Sequence, residues 1–120
     1  MKVDINGQVL ELKRSFWTDL IYEDYFHKPI DYLNMNKREF VNLFSCCVIA
    51  NQQEKGLDVM TKAEVEKWLQ EQPFPDLIIG EFANWHVEQQ RMYWELMAAQ
   101  TNKETSKVES NKEVTTEKKD

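Results

Sequence analysis

The Asn6-Gly7 dipeptide is the feature that most limits how this chain can fold. Both residues accept a positive φ, so the pair favours a two-residue type I′ turn that joins antiparallel strands. Centred on this turn, residues 1–13 form a hairpin that gathers five apolar side chains on one face and places Lys2 opposite Glu11 on the other. A lone hairpin is marginal in water, so its apolar face must pack on other elements. That face consists of Met1, Val3, Ile5, Leu10 and Leu12.

Capping patterns predict three helices after the hairpin. A Ser, Asn or Thr side chain can accept a hydrogen bond from the backbone of the first turn, and Glu three residues later completes the pattern in the second and third cases. The helices are predicted to begin after Ser15, Asn36 and Thr61, and to end near His27, before Gly56 and before Pro73. The first helix is expected to bury one side made of Phe16, Trp17, Leu20, Ile21 and Tyr25.

A fourth and longer amphipathic helix is predicted from about Pro75 to Gln100, and we expect the other elements to pack on it. At 100° per residue, a broad apolar stripe covers one side and a narrower patch lies beside it. The stripe consists of Ile78, Phe82, Trp85, His86, Met92, Tyr93, Leu96 and Met97. The patch consists of Ala83, Val87, Trp94 and Ala98.

These elements predict an α+β fold that is predominantly α-helical. A short N-terminal β-hairpin (1–13) would pack on about four helices within a single domain over residues 1–100. Residues 101–120 have no aromatic side chain and are dominated by Thr, Ser, Asn, Lys and Glu. Such a composition is typical of a disordered polar tail.

Charge and cysteine content exclude several classes of function. The chain has 15 Lys and Arg against 21 Asp and Glu, a net charge of −6. An acidic surface repels phosphate, which argues against binding to nucleic acid or to an anionic membrane. We also find neither a signal peptide nor an apolar run long enough to span a bilayer. The two cysteines, Cys46 and Cys47, are adjacent and unsuited to a disulfide, which indicates a reducing cytoplasm.

The residues that could support catalysis do not form a recognisable site. His27 and His86 are the two histidines, and neither belongs to a metal-binding spacing. Cys47 falls on the apolar side of its helix without an activating histidine nearby in sequence. Three scattered glycines do not make a phosphate-binding loop. We therefore expect no enzyme, no metal and no cofactor.

Protein binding is the remaining class, and two surfaces are candidates. Trp94, with Ala83, Val87 and Ala98 beside it, either packs under the hairpin or stands exposed as an anchor for a partner. Tyr22 and Phe26 lie beyond the expected core side of the first helix and form a second candidate surface. A long helix with two apolar sides also allows a homo-oligomer.

The order of motifs resembles a known family. Ile5-Asn6-Gly7 is followed by Leu20 with Tyr22-Glu23, and then by Lys28-Pro29. This pattern, within residues 3–33, resembles that of the small tail assembly chaperones of long-tailed bacteriophages. One departure is His27, which stands where we expect a glycine to close the first helix in a left-handed cap.

The resemblance implies a non-catalytic protein of the bacterial host cytoplasm. Such chaperones bind the long, aggregation-prone tape measure protein and engage tail tube subunits during tail morphogenesis. Two alternatives stay open, namely a structural head–tail connector that remains in the particle and a small regulatory module that binds a host protein.

Overall fold

The computed structural model describes residues 1–32 and 34–119, with side chains described through residue 101 apart from residue 33. The elements in chain order are β1 (Lys2–Ile5), β2 (Gln8–Glu11), α1 (Phe16–Phe26), α2 (Lys37–Glu54), α3 (Lys62–Gln70) and α4 (Pro75–Lys119). The predicted α+β, predominantly helical fold with a short hairpin is thus confirmed. Helix α4 runs beyond its predicted end near Gln100, to Lys119. Side chains beyond Thr101 are outside the described ones, and the disordered tail predicted for residues 101–120 stays a prediction.

The hairpin has the predicted turn and register. Asn6 and Gly7 have φ values of 54° and 88°. Lys2 pairs with Glu11, and the amide of Leu12 donates to the carbonyl of Met1 at 2.8 Å, which extends the pairing by one residue. The side chains of the apolar face are buried, except that of Met1, which is partly buried. The hairpin therefore contributes one wall of the core.

All three predicted helix starts are confirmed. Ser15 and Thr61 each form a reciprocal capping box, with Thr18 and Glu64 as the respective partners. The side chain of Asn36 accepts a hydrogen bond of 2.9 Å from the amide of Glu39. These bonds satisfy amide groups that have no partner inside a helix.

The end of α1 is an unusual left-handed cap. His27 has φ 55° and ψ 33°, and its amide donates to the carbonyl of Glu23 at 2.8 Å. A side chain with a Cβ pays a steric cost in this region, which glycine avoids. The chain tolerates histidine at a position suited to glycine.

Replacing His27 with Gly is therefore expected to raise the free energy of unfolding by about 1 kcal/mol. The substitution removes the steric cost of the left-handed conformation, and the greater entropy of glycine in the unfolded chain offsets part of this gain. Urea denaturation followed by circular dichroism measures the change. Lys28→Gly is the matched control, because Lys28 has no positive φ, and its stability should stay level or fall. Equal effects of the two substitutions would contradict the assignment of strain to His27.

The helix at the centre of the fold is α2, and the expectation that α4 holds this place is wrong. Residues 42–52 of α2 are buried without interruption, over three turns. Helix α1, strand β2 and helix α3 all contact α2. From α4, the ring of Phe82 meets Phe44 edge-on with 5.4 Å between centroids. Cover on every side, rather than one apolar face, makes α2 the core element.

The chain divides into two compact units, Met1–Trp85 and His86–Asp120, and α4 runs through both. The first unit contains the hydrophobic core, which reaches Ile79 and Phe82 of α4. This division does not test the prediction of one domain over residues 1–100. Within the described part of the chain, no helix has the length and apolar character needed to cross a bilayer.

Candidate protein-binding surface

Side-chain burial along α4 changes sharply near His86. Before this point Ile79 and Phe82 are buried, and His86 is buried as well. Every described side chain from Arg91 to Thr101 is exposed. The expectation that the apolar stripe is buried along its whole length is wrong for Met92, Tyr93, Leu96 and Met97, whose exposed fractions lie between 43% and 71%. Helical periodicity shows which residues share a face, but not where the covering elements end.

The exposed part of α4 has a very wide apolar surface. At 100° per residue its large apolar side chains, with glutamines among them, spread over about 220° of the helix circumference. We name this surface the apolar arc. It consists of Val87, Met92, Tyr93, Trp94, Leu96 and Met97. Helices that are apolar over so wide an angle are normally enclosed by neighbours.

The remaining strip of the helix is charged, and its charged side chains form ion pairs with one another. Arg91 pairs with both Glu88 and Glu95, and its Nε lies 3.2 Å from a carboxylate oxygen of Glu88. The hydrogen bond from Arg91 lowers the pKa of Glu88, and the same bond raises the pKa of Arg91. The three side chains are exposed, and Glu88 and Arg91 remain ionised at neutral pH. This strip faces water, and it leaves the apolar arc without a charged residue.

Trp94 lies beside Val87, near one edge of the apolar arc. Its exposed fraction is 57%, as the second of the two alternatives for this side chain requires. The Tyr93 ring meets it nearly edge-on, with centroids 5.8 Å apart. Val87 and Ala98 are exposed as well, whereas Ala83 is half-buried. An exposed Trp–Tyr pair is the kind of anchor that dominates the binding energy of protein interfaces.

No protein-family model, curated protein or solved structure matches this chain. The exposed surfaces and the motif resemblance are thus the features that bear on function.

The second predicted surface needs correction, because Tyr22 is completely buried. Its ring lies 4.7 Å from that of Phe26, and burial, followed by the charge of Glu39, raises the pKa of its hydroxyl. Phe26 is half-buried beneath the ammonium group of Lys62, 5.1 Å from the ring centroid. Tyr22 is thus a core residue and not part of a binding surface.

The predicted core side of α1 is wrong except at Ile21, which is buried as expected. The buried residues are Thr18, Ile21 and Tyr22. Phe16 is 78% exposed, and Trp17 and Tyr25 are nearly half exposed. The Trp17 indole N–H donates to the side-chain oxygen of Gln53. Because α1 carries aromatic residues on almost every side, hydrophobic periodicity did not distinguish the buried face, and the exposed aromatic residues were missed.

The thiols lie in the core. Burial raises the pKa of Cys46 to about 12, and it raises the pKa of Cys47 as well. Both groups are therefore protonated at neutral pH, and a protonated buried thiol is a poor nucleophile. Among the described residues, no group of three His, Cys, Asp or Glu side chains is placed to hold a metal ion.

Proposed function

We propose that this chain is a non-catalytic assembly chaperone that keeps an aggregation-prone protein in solution by covering its apolar segments with the apolar arc. The observation that carries this proposal is the exposure of the six large apolar side chains of the apolar arc. The core of residues 1–85 is complete without them. Large exposed apolar surfaces on small proteins typically mark sites of protein interaction.

The composition of the apolar arc suits an extended helical client. Tyr93 and Trp94 supply rigid aromatic area, while Met92 and Met97 adapt their shape to different neighbours. Leu96, 71% exposed, lies on the side of the helix toward Met92. An amphipathic helix of the client would lie along the apolar arc and bury its own apolar side there. A surface of this kind recognises apolar helices more by pattern than by a single sequence.

The motif resemblance over residues 3–33 suggests the client. It supports a role as a phage tail assembly chaperone in the bacterial host cytoplasm, with the tape measure protein as client and the tail tube protein as second partner. The tape measure protein of such phages is long, helical and prone to aggregation. The net negative charge of the chain disfavours partners that carry phosphate. The apolar arc therefore stays available for an apolar client of this kind.

Co-expression with the long helical tape measure protein encoded nearby tests the proposal. The wild-type chain is expected to move most of that protein from the pellet to the soluble fraction. Trp94→Lys with Leu96→Lys should abolish this effect, because two charges would then interrupt the apolar arc. Phe74→Lys is the matched control: Phe74 is 70% exposed and lies outside the apolar arc, so solubilisation should be retained.

Two outcomes would contradict the proposal. One is a tape measure protein that stays insoluble with and without the wild-type chain. The other is equal solubilisation by the wild-type chain and by the doubly substituted variant. Mass spectrometry of purified particles separates the chaperone from a structural connector, since a connector would be abundant in mature particles and a chaperone would be absent.

A further inference from the structure

We infer that the apolar arc also binds a second copy of this chain, so that the protein without a client is a homodimer paired through residues 86–101 of α4. This inference does not rest on the identity of the client. It rests on the area, the charge and the polar groups of the apolar arc. All three allow the apolar arc of one chain to pair with the apolar arc of a second chain.

The exposed apolar area matches what a dimer needs. A standard interface covers roughly 800 Å² per partner, and about 60% of it is apolar, which corresponds to about 500 Å². Each of the six side chains of the apolar arc is about half exposed. An aromatic side chain buries roughly 150–250 Å² in full, and the aliphatic side chains bury somewhat less. Covering the exposed parts of all six side chains therefore supplies an apolar area of about 500 Å². One copy thus offers enough surface for a stable pair.

The charge distribution allows two copies to meet here and disfavours contact elsewhere. Residues 1–85 carry nine Lys and Arg against fourteen Asp and Glu, so two such surfaces repel each other. Residues 86–101 carry only Glu88, Arg91 and Glu95, and these pair within their own helix. Pairing through the apolar arc therefore buries no charge and brings no unpaired like charges together.

The polar groups of this segment are also self-complementary. Gln89 and Gln100 lie among the apolar side chains and are exposed. A primary amide both donates and accepts, so glutamines from two copies can hydrogen-bond to each other. A partner recognised by charge would instead require uncompensated charges beside the apolar arc. The neutral, amide-bearing surface fits a second copy.

Sedimentation equilibrium of the full chain without any partner tests this inference, at concentrations from about 5 to 200 μM, which brackets the micromolar range of modest interfaces. The mass of wild type is expected to rise from 14.4 kDa toward twice that value. Leu96→Lys should weaken the dimer at least tenfold, because the ammonium group would have to be buried. Trp94→Phe keeps an apolar ring and should still dimerise. Phe74→Lys, outside the apolar arc, should dimerise like wild type.

A wild-type chain that stays at 14.4 kDa over the whole range would overturn the inference. A mass well beyond twice this value, or a dimer that Leu96→Lys leaves intact, would do the same. Far-ultraviolet circular dichroism of each variant must match wild type, which separates lost pairing from lost folding. Because no client is present, failure here leaves the solubilisation experiment unaffected, and failure of that experiment leaves the dimer in place.

Discussion

Replacing Phe44 with Ala is expected to lower the free energy of unfolding by about 3–5 kcal/mol. Phe44 is fully buried at the middle of α2. Its ring stacks on Trp68 with centroids 6.3 Å apart and receives the edge of Phe82 at 5.4 Å. Truncation removes both contacts at once and leaves a cavity between three helices. The loss is comparable to the whole stability of many small domains.

Urea denaturation monitored by tryptophan fluorescence measures this effect, because Trp68 reports on the same contacts. Phe44→Leu fills most of the volume and is expected to cost less than half as much. Phe74→Ala is the exposed control and should change stability by less than about 0.5 kcal/mol. If Phe44→Ala cost no more than Phe74→Ala, the central position of α2 would be refuted.

The second large effect is expected at Gln52, where Gln52→Ala should cost about 2–4 kcal/mol, from an unpaired buried amide and a small cavity. Gln52 is 1% exposed. Its side-chain oxygen accepts from the amide of Met60 at 2.9 Å, and its nitrogen lies 3.4 Å from the side-chain oxygen of Gln8. One side chain thus connects the hairpin, α2 and the segment before α3.

Chemical denaturation again provides the measurement, and Gln70→Ala serves as the control, because Gln70 is exposed near the end of α3. We expect that control to stay within about 0.5 kcal/mol of wild type. Native-state hydrogen exchange adds a local readout: the Met60 amide should lose protection in Gln52→Ala. Retained protection of that amide would show that the hydrogen bond is dispensable.

The features that could be predicted from the sequence are those decided by short-range chemistry. The Asn6-Gly7 turn depends on two backbone conformations, and the caps at Ser15 and Thr61 depend on side chains three residues apart. The left-handed conformation at His27 was expected from the motif resemblance, in which a glycine stands before the Lys-Pro pair. In each case the interacting groups are neighbours in the chain, so the prediction needed no knowledge of tertiary packing.

The role of α2 could not be predicted, because its burial depends on partners from distant parts of the chain. Asn42, Asn51 and Gln52 are polar and, taken alone, indicate exposed positions. In the fold, Asn51 donates to the carbonyl of Glu11 at 2.7 Å, and that bond satisfies a polar group in the core. Hydrogen bonds to residues about 40 positions away make the amide groups of Asn51 and Gln52 compatible with burial.

The candidate surface was predictable in kind but not in extent. Trp94 was recognised because it lay outside the main stripe, whereas Met92 and Leu96 shared a face with Phe82 and were assigned to the core. Their periodicity is the same on both sides of His86, and only the covering elements differ. Conversely, Tyr22 belongs to the core because it lies on the buried face of α1, together with Thr18 and Ile21.

The position of α2 in the middle of the sequence also has a consequence for protein synthesis. When the ribosome has completed α2, the side chains that cover one part of it, among them Val65, Trp68 and Phe82, have not yet been made. At roughly 5–20 residues per second, translation of residues 55–85 takes about 2–6 s. Until these residues have been made and have left the ribosome, Phe44 and its apolar neighbours lack part of their cover. A protein proposed to protect others from aggregation therefore passes, during its own synthesis, through a state that is open to wrong contacts.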